Sequence, residues 1–319
     1  MIVTFTANPS IDATMSIDTL SPGGVLRVSD SSREPGGKGI NVSNAVLKAG
    51  QKTLAIAPAL DSDPFVALAS GARIPLQTVP VDGRVRTNTT VTEADGRTTK
   101  FNEPGAPLDD VARDALQAQL VSAAADAKAV VLAGSLPPGA PTDWYPQLVG
   151  TIREANPDVL IAVDTSDEPL RALGRNLESA APDVVKPNGF ELGQLAGLDG
   201  EELERQADAG HLDAVVEAAQ GLVDKRVGQV LVTLGGAGAC LVTADGAWHA
   251  SPPPATVRST VGAGDSSLAG YVLARLAGKD YPDALRQAVA YGTAAAANPG
   301  TEIPSPEDLD LDRTTVREI

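Results

Sequence analysis

Short apolar runs rich in β-branched residues alternate along the chain with amphipathic stretches of helical period. Six of these runs have the length and character of strands buried on both faces, namely Ile2–Thr6, Thr53–Ala57, Ala129–Ala133, Val159–Val163, Val184–Lys186 and Gln229–Leu234. Helices are predicted between and after them, at about 38–49, 109–126, 142–154, 168–173, 264–277 and 281–297. The alternation predicts an α/β fold with a mostly parallel sheet covered on both sides, in a single domain over residues 1–319.

Two polar, extended segments interrupt this alternation. Residues 85–103 predict a β-hairpin on an Asp-Gly turn, and residues 11–30 form a second extended stretch. Because neither carries enough large apolar side chains for a core, we expect a small sheet that projects from the main one, over about 11–33 and 84–105. This sheet would close over a substrate or pair with a second subunit. The alternative is a plain surface hairpin.

The last third of the chain predicts one further strand pair. The turn Asp245-Gly246 indicates a hairpin at an edge of the sheet, formed by Ala239–Thr243 and Ala247–Ala250. Residues 305–319 are polar and predict a terminal helix or a frayed tail.

Charge and composition argue against some classes of partner. A formal net charge of −16 and a pI near 4.5 disfavour nucleic acid and anionic membranes, although local basic groups still allow a small phosphorylated substrate. The one cysteine, Cys240, cannot form an internal disulfide. The first residues carry neither the basic segment nor the apolar run of a signal peptide. We therefore expect a cytoplasmic protein that binds no membrane and no nucleic acid.

The segment Ser-Thr-Val-Gly-Ala-Gly-Asp at residues 259–265 runs directly into one of the predicted helices. Small residues at this position leave several amide groups at the helix N-terminus unpaired, and such amides bind anions, including a phosphoryl group in transfer. Asp265 stands where a carboxylate can take a proton from the attacking group. The alternative is an ordinary glycine-rich turn in which Asp265 caps the helix.

A second glycine cluster, Pro-Gly-Gly-Lys-Gly-Ile-Asn-Val-Ser at residues 35–43, leads into the first predicted helix. Its glycines let the backbone approach a ligand closely, while Lys38 and Asn41 offer a cation and an amide to polar oxygens. The cluster does not fit the Walker A pattern. The chain also has neither the dinucleotide-binding fingerprint after its first strand nor a Gly-x-Ser-x-Gly elbow. Dehydrogenase and serine hydrolase chemistry therefore rank low.

Together the two glycine clusters resemble the two signatures of the PfkB (ribokinase-like) family of carbohydrate kinases, and the resemblance extends over essentially the whole chain. Further motifs that resemble the family stand in the same order, namely Asn8-Pro9-Ser10-Ile11-Asp12, Gly134–Gly139, Asp164-Thr165-Ser166, Val185–Glu191 and Thr233–Gly238. Within the family the chain resembles most the branch that acts on phosphosugars, and there 1-phosphofructokinase. The resemblance implies a ribokinase-like three-layer α/β/α fold with a small projecting β-sheet lid.

The resemblance also implies ATP as co-substrate and Asp265 as the catalytic base, which accepts the proton of the sugar's primary hydroxyl. An anion hole for the phosphoryl oxygens would be formed by the backbone amides of Gly262, Ala263, Gly264 and Asp265. The nucleotide would lie along a site that shares Gly264 and otherwise consists of Thr233, Gly235, Gly236, Gly238, Lys186, Asn188 and Asn298.

Asn188 and Glu191 match the family's Asn-x-x-Glu element, which implies that they help to hold Mg²⁺ through water. Because magnesium keeps several waters and bridges the phosphates of its substrate, no full protein cage is required. The alternative is a helix cap followed by an acidic residue in the first turn. A requirement for K⁺ is left open.

For the sugar, the resemblance implies that Asp12 contacts ring hydroxyls, with Gly37 and Asn41 beside it. The sugar's phosphate needs cations and hydrogen-bond donors, for which the candidates are Lys38, Arg27, Arg86 and Ser135. Arg27 and Arg86 lie in the expected lid, so they would arrive as it closes. The lid strands are also expected to form the contact of a homodimer.

The expected substrate is fructose 1-phosphate, which the kinase would convert into fructose 1,6-bisphosphate. This choice depends on Lys38, which resembles 1-phosphofructokinase and tagatose-6-phosphate kinase, because the minor 6-phosphofructokinase carries a glycine there. Fructose 6-phosphate and tagatose 6-phosphate are the alternatives within the family. A function of a different class, a non-catalytic sugar-phosphate sensor, would need none of Asp265, Asn188 and Glu191.

Overall fold

The computed structural model describes residues 1–319, which form two β-sheets and eleven α-helices. The strands are β1 (Ile2–Phe5), β2 (Ser10–Ile17), β3 (Asp30–Gly36), β4 (Thr53–Pro58), β5 (Leu76–Val79), β6 (Arg86–Glu93), β7 (Thr98–Asn102), β8 (Ala129–Ala133), β9 (Leu160–Asp164), β10 (Val184–Val185), β11 (Gln229–Thr233), β12 (Ala239–Thr243), β13 (Gly246–Ser251) and β14 (Thr315–Glu318). The helices are α1 (Lys38–Lys48), α2 (Pro64–Gly71), α3 (Asp110–Ala124), α4 (Trp144–Ala155), α5 (Asp167–Arg175), α6 (Leu177–Ala180), α7 (Gly189–Ala196), α8 (Gly200–Asp208), α9 (Asp213–Val223), α10 (Ala263–Leu276) and α11 (Tyr281–Ala297). None of these helices combines the length and the apolar content that crossing a bilayer requires.

The larger sheet has ten strands in the order β14-β13-β12-β11-β10-β9-β8-β1-β4-β5. The strands from β11 to β5 in this order run parallel, and β12, β13 and β14 add an antiparallel edge. Both faces are buried: Val130 and Leu132 of β8 belong to one hydrophobic cluster, whereas Ala129 and Val131 belong to another. The predicted α/β fold with a mostly parallel sheet is therefore confirmed.

Helices α10 and α11 pack closely against each other over the second of these clusters. Gly270 of α10 permits the close approach, because a Cβ there would lie 2.5 Å from Cδ2 of Tyr291 in α11. Helix α11 has its predicted bounds, and α10 begins and ends one residue before them. This packing holds the amino end of α10, where Gly262 is the N-cap.

The smaller sheet has the order β3-β2-β6-β7 and is formed by the polar segments that interrupt the α/β alternation. We call these four strands the lid sheet. Strands β6 and β7 form the expected hairpin, β2 runs parallel to β6, and β3 runs antiparallel to β2. Strand β3 begins only at Asp30 and continues to Gly36, so residues 18–29 are a mostly exposed connection rather than a strand.

The end of the chain differs from the prediction. Residues 315–318 form β14, which pairs antiparallel with β13 and places Glu318 opposite Trp248. The expected helix or frayed tail was therefore wrong. The segment is polar because it lies at the edge of the sheet, where main-chain pairing rather than burial holds it. The hairpin of β12 and β13 is confirmed, but β14 forms the edge.

Candidate active site

The predicted site residues that follow the parallel strands gather at the carboxyl edge of the larger sheet. Ser135 follows β8, Asp164 ends β9, Lys186 follows β10 and Thr233 ends β11. Ligands of open α/β sheets bind beyond this edge. The first turns of α1 and α10 meet at the same place, and they supply the remaining charged groups.

Asp265 lies in the first turn of α10 and is 7% exposed. Its Oδ2 accepts a 2.8 Å hydrogen bond from Asn41 Nδ2 of α1. That Asn41 also lies beside Asp12 at the sugar stays a prediction. Burial raises the pKa of Asp265 to about 6, and the charge of Asp164 adds to this effect while that of Lys38 opposes it. A carboxylate with this pKa is ionised at neutral pH and basic enough to take a proton from a reacting hydroxyl.

The amides at the start of α10 are available to an anion. Gly262 has a φ of 77°, a left-handed conformation that favours glycine. The N–H groups of Gly262, Gly264 and Asp265 have no hydrogen-bond partner within the protein, and that of Ala263 makes only a long 3.5 Å contact with the carbonyl oxygen of Thr260. Unpaired amides at a helix N-terminus attract negative charge, so this turn has the geometry of the predicted anion hole.

A fully buried carboxylate, Asp164, lies between two lysines beside this turn. Its Oδ1 accepts a 2.7 Å hydrogen bond from Lys38 Nζ, and its Oδ2 lies 3.2 Å from Lys186 Nζ. Burial alone would raise the pKa of Asp164, but the two lysines hold it below its usual range. Burial alone would lower the pKa of Lys38, but three carboxylates raise it, those of Asp164, Asp265 and Glu191. The three carboxylates and the two lysines therefore lie close enough together for their charges to interact.

A cavity of about 580 Å³ opens beside the amides of α10, which is a volume typical of small-molecule sites. Five of the predicted ATP-binding residues line it, namely Thr233, Gly235, Gly236, Gly238 and Gly264. Gly238 has a φ of 92°, and a Cβ there would lie 1.9 Å from the carbonyl oxygen of Ala250. The sequence did not predict the opposite walls, which are formed by Pro252–Ala255, Val257 and the faces of α10 and α11 that carry Ser267, Val289, Gly292, Thr293 and Ala296.

Three predicted nucleotide residues do not line this cavity, namely Lys186, Asn188 and Asn298. Lys186 lies next to it, because a Cβ on Gly264 would be 3.2 Å from Lys186 Nζ. Asn298 is the C-cap of α11 and donates to the carbonyl oxygen of Glu302 at 3.3 Å. A contact between Asn298 and a nucleotide stays a prediction.

Asn188 and Glu191 form a capping box at the start of α7. Asn188 Oδ1 accepts from the Glu191 N–H at 2.7 Å, and Glu191 Oε2 accepts from the Asn188 N–H at 2.9 Å. The helix cap, the alternative interpretation of these residues, is thus present, and no group of three or more His, Cys, Asp or Glu side chains could hold a metal ion. The second oxygen of Glu191 takes no part in the cap, so the pair fits a water-mediated contact with Mg²⁺ rather than a protein cage.

A second polar region surrounds Arg86, where the lid sheet meets the strand ends. Its guanidinium donates to the carbonyl oxygens of Asn8 and Glu103 at 3.2 and 3.1 Å, and to Ser135 Oγ at 3.3 Å. The charge of Asp12 acts on Arg86, and burial raises the pKa of Asp12 itself. A cation, a hydroxyl and a carboxylate close together suit the phosphate and the hydroxyls of a sugar phosphate.

Two positions in this region have no room for a side chain and are occupied by glycine. A Cβ on Gly36 would lie 2.3 Å from Cγ of Asp12, and one on Gly37 would lie 2.7 Å from Cγ2 of Thr6. Gly37 is also the N-cap of α1 and has a φ of 112°. Any other residue at these positions would displace Asp12 or the start of α1.

Arg27 and Lys38 share no hydrogen-bond partner with Arg86. Arg27 is exposed in the connection between β2 and β3 and has no partner there. Lys38 is held by Asp164, whereas the carboxylates that act on Arg86 are those of Asp12 and Glu103. The charges that act on Lys38 are therefore those of Asp164, Asp265 and Glu191. That Lys38 or Arg27 binds the sugar's own phosphate stays a prediction.

Asp164 is the one charged group at the centre of the site that the sequence analysis did not select. It belonged to a motif shared with the family, but it was not a candidate site residue. A signal was present, because Asp164 ends an apolar strand, and the carboxyl end of a parallel strand is where side chains meet a ligand.

Comparisons with known proteins bear on the family of this chain. The family model for pfkB family carbohydrate kinases matches residues 6–308. The chain is 33% identical to ATP-dependent 6-phosphofructokinase isozyme 2 of Escherichia coli over 311 residues, which cover 96% of each protein. It is 34% identical to 1-phosphofructokinase of Rhodobacter capsulatus over 317 residues, which cover 97% of this chain and 94% of the relative.

Solved structures bear on the fold. The crystal structure of phosphofructokinase-2 from Escherichia coli in complex with substrates and products is similar at a TM-score of 0.86 and 32% identity, with 96% of each chain covered. Ribokinase of Arabidopsis thaliana, at 21% identity and with 96% of each chain covered, has a TM-score of 0.73, which confirms the ribokinase-like fold. Since the family model also matches most of the chain, this protein belongs to the pfkB family of carbohydrate kinases.

Proposed function

We propose that the protein transfers the γ-phosphoryl group of ATP to the free primary hydroxyl of fructose 1-phosphate, which yields fructose 1,6-bisphosphate and ADP. The observation that carries this proposal is the position of Asp265. Its carboxylate is buried and has a pKa of about 6. It belongs to the turn in which the amides of Gly262, Gly264 and Asp265 are unpaired, and Gly264 of this turn lines a cavity of about 580 Å³.

The reaction follows from these groups. Asp265 accepts the hydroxyl proton as the sugar oxygen forms its bond to the γ-phosphorus and the bond from that phosphorus to ADP breaks. The amides of Gly262, Gly264 and Asp265 donate to the phosphoryl oxygens, and Lys186 and Lys38 lie close enough to neutralise their charge. Mg²⁺, when bound to ATP, would supply further charge neutralisation, held through water by Glu191.

The sugar phosphate would bind at the Arg86 region, with its phosphate at Arg86 and Ser135 and its ring hydroxyls at Asp12. Closure of the lid sheet over this region would exclude water and limit hydrolysis of ATP. Arg27 would reach the phosphate only in such a closed state, since it is exposed here.

The choice of fructose 1-phosphate is supported by Lys38 in the glycine cluster and by relatives named 1-phosphofructokinase at 34% identity. The alternative is fructose 6-phosphate, supported by the relative named 6-phosphofructokinase; tagatose 6-phosphate is the third candidate. Fructofuranose carries a CH₂–O arm on each side of its ring oxygen. Either phosphate can therefore occupy the Arg86 region when the sugar is turned over.

The deciding experiment measures ADP release with Mg-ATP and subsaturating fructose 1-phosphate, fructose 6-phosphate or tagatose 6-phosphate in parallel. We expect kcat/KM to favour fructose 1-phosphate by about tenfold or more, about 1.4 kcal/mol in transition-state binding. A preference for a 6-phosphate would overturn the role given to Lys38 but leave the proposal that the protein is a kinase. If no ADP is released with any of the three sugars, the sensor is favoured instead.

A second experiment tests the proposed base. Asp265→Asn should lower kcat by about 10²- to 10⁴-fold, whereas Asp126→Asn, an exposed control, should not.

The lid sheet would also form the contact of a cytoplasmic homodimer, because β3 and β7 leave unpaired strand edges. Sedimentation equilibrium should then give twice the chain mass, and Ser32→Pro in β3 should shift the equilibrium to monomer.

The phosphofructokinase-2 of Escherichia coli has been crystallised in complex with potassium. The assay of ADP release should therefore compare potassium chloride with tetramethylammonium chloride.

A further inference from the structure

A second large cavity, of about 690 Å³, lies at the opposite edge of the larger sheet. Its wall includes Ile2 at the start of β1, and Lys52 and Lys128, which come immediately before β4 and β8. We call it the amino-edge cavity. The phosphoryl-transfer chemistry does not use it, because every group assigned to that chemistry lies at the carboxyl edge.

The charges around the amino-edge cavity favour an anion. Lys52 and Lys128 form no ion pair, and no acidic side chain lines the cavity, although the chain has 41 Asp and Glu residues. The residues that follow the two lysines pair with Ile2 on either side of β1. The lysine Cα atoms are therefore two strand spacings apart, about 10 Å. Two lysine side chains can reach a single anionic group across that distance.

The rest of the wall combines apolar surface with one hydroxyl group. Leu273, Leu276, Leu309 and Leu311 supply the apolar part. Tyr291 also lines the cavity, is 1% exposed, and its hydroxyl forms no hydrogen bond within the protein. Burial raises the pKa of Tyr291, so the hydroxyl keeps its proton and remains a donor. A hydroxyl that lines a cavity and has no partner in the protein can donate its hydrogen bond to a ligand or to a water molecule.

Two helices connect this cavity with the candidate active site. Helix α10 carries Asp265 in its first turn and Leu276 as its last residue, and its 14 residues span about 21 Å. Helix α11 contributes Tyr291 to the amino-edge cavity. It contributes Gly292 and Thr293 to the cavity of about 580 Å³ beside the amides of α10, which we call the nucleotide cavity. A shift of either helix at one cavity is carried by the helix to the other.

We propose that the amino-edge cavity is an effector site for a small amphipathic anion. The phosphate or carboxylate of the ligand lies between Lys52 and Lys128, and its apolar body lies against Leu273, Leu276 and Tyr291. Occupancy of this site changes the affinity of the nucleotide cavity through α10 and α11, and by linkage the nucleotide changes the affinity of the effector.

The first test uses 8-anilinonaphthalene-1-sulfonate, an apolar molecule with one anionic group, with the full chain saturated with ADP so that the nucleotide cavity is filled. Fluorescence titration should show one bound probe per chain. The double variant K52Q/K128Q should weaken binding by about tenfold or more, and Ala277→Trp, at an exposed position on the cavity wall, should abolish it. The controls are K100Q/K225Q, two exposed lysines elsewhere, and Ala125→Trp, an exposed helix C-cap. Equal weakening in the controls, or no weakening in the cavity variants, would overturn the site.

The second test measures the linkage by calorimetric titration of ADP with and without saturating probe. The ADP dissociation constant should change by about fivefold or more in the unmodified chain and stay constant in Ala277→Trp. An equal change in both proteins would place the probe in the nucleotide cavity and contradict the proposal. No change in the unmodified chain would overturn the linkage. Neither titration requires phosphoryl transfer, so both results are independent of the substrate proposed above.

Discussion

The side chain of Asn41 donates a 2.8 Å hydrogen bond to the carboxylate of Asp265 across 224 residues of sequence. This contact ties the first turn of α1 to the first turn of α10, so the two glycine clusters face each other. Asn41 donates directly to the buried carboxylate, and a hydrogen bond to a carboxylate favours the ionised form of Asp265. Asn41 therefore favours the ionised form that the proposed role of Asp265 as a base requires.

This role predicts how pH should affect the enzyme. Because Asp265 must be deprotonated to accept a proton, kcat/KM of the unmodified chain should rise with pH through about 6 and then level off. In Asn41→Ala the ionised form loses its donor, so the rise should move upward by about one pH unit or more. The measurement is kcat/KM from pH 5 to 9.

A matched control for this prediction is Asn44→Ala, which removes an asparagine from the same helix and should leave the midpoint in place. If Asn41→Ala lowered kcat/KM by the same factor at every pH, Asn41 would act on substrate binding rather than on Asp265.

The sequence predicted the elements of this site better than their contacts. The two glycine clusters, the helices after them and the strands β8, β9 and β11 all lie close to their predicted bounds, because local patterns of small and apolar residues determine them. The contact between Asn41 and Asp265 depends on how α1 and α10 pack, and no local pattern encodes that. The same is true of Asp164, whose meaning depends on lysines from two other elements.

Elements held by main-chain pairing or by short helical turns were harder to predict. Strand β14 is polar because it lies at the sheet edge, so its sequence lacks the apolar run that indicates a strand. Helices α7, α8 and α9 follow each other with short connections between residues 189 and 223. The sequence analysis gave bounds for none of them, and only the cap of α7 appeared, as the alternative interpretation of Asn188 and Glu191. Strand β5 has four residues and helix α2 has eight. Both were missed because elements this short show little periodicity in the sequence.

Asp265 should also make the fold less stable at neutral pH. Its pKa is about 6 in the folded state and near 3.8 without burial, so above pH 6 the folded chain holds a buried charge that the unfolded chain exposes to water. The stability present below pH 3.8 is therefore lost as the pH rises through 6, by about 3 kcal/mol for a shift of about two units. Asp265→Asn should be more stable than the unmodified chain at pH 7.5 by up to this amount.

Urea unfolding of both proteins at pH 4.5 and pH 7.5 checks this prediction, and the gain in stability should shrink at the lower pH. Asp126→Asn, an exposed position, should show no such gain. A gain that was the same at both pH values would mean that Asp265 is not destabilised by its charge.

Arg86 should determine the affinity for the sugar phosphate. Its guanidinium already contacts Ser135 Oγ and the carbonyl oxygen of Asn8, which leaves it fixed at the place where the phosphate is proposed to bind. In Arg86→Ala the KM for the sugar phosphate should rise by about 10- to 100-fold, as expected for a lost hydrogen bond to a charged group. The KM for ATP should change little, because the nucleotide cavity does not include Arg86.

Arg84→Ala is the control for this prediction, since Arg84 is exposed and lies two residues before Arg86. Steady-state kinetics with each substrate varied in turn separate the two KM values. A rise in the KM for ATP alone would contradict the placement of the sugar phosphate.

Asp164 should stabilise the fold by separating Lys38 and Lys186. Its carboxylate is fully buried and lies 2.7 Å from one Nζ and 3.2 Å from the other, so Asp164→Asn would leave two cations without their shared partner. Breaking a buried ion pair from one side costs about 3–5 kcal/mol, and urea unfolding at pH 7.5 should show a loss of that size. Asp114→Asn removes one partner of an exposed ion pair with Arg113 and should leave the unfolding free energy nearly unchanged.

The double variant Asp164→Asn with Lys38→Met should recover part of the loss, because it removes one of the two uncompensated charges while keeping the apolar stem. If the double variant were less stable than Asp164→Asn by the full effect of Lys38→Met alone, the lysine and the aspartate would act independently.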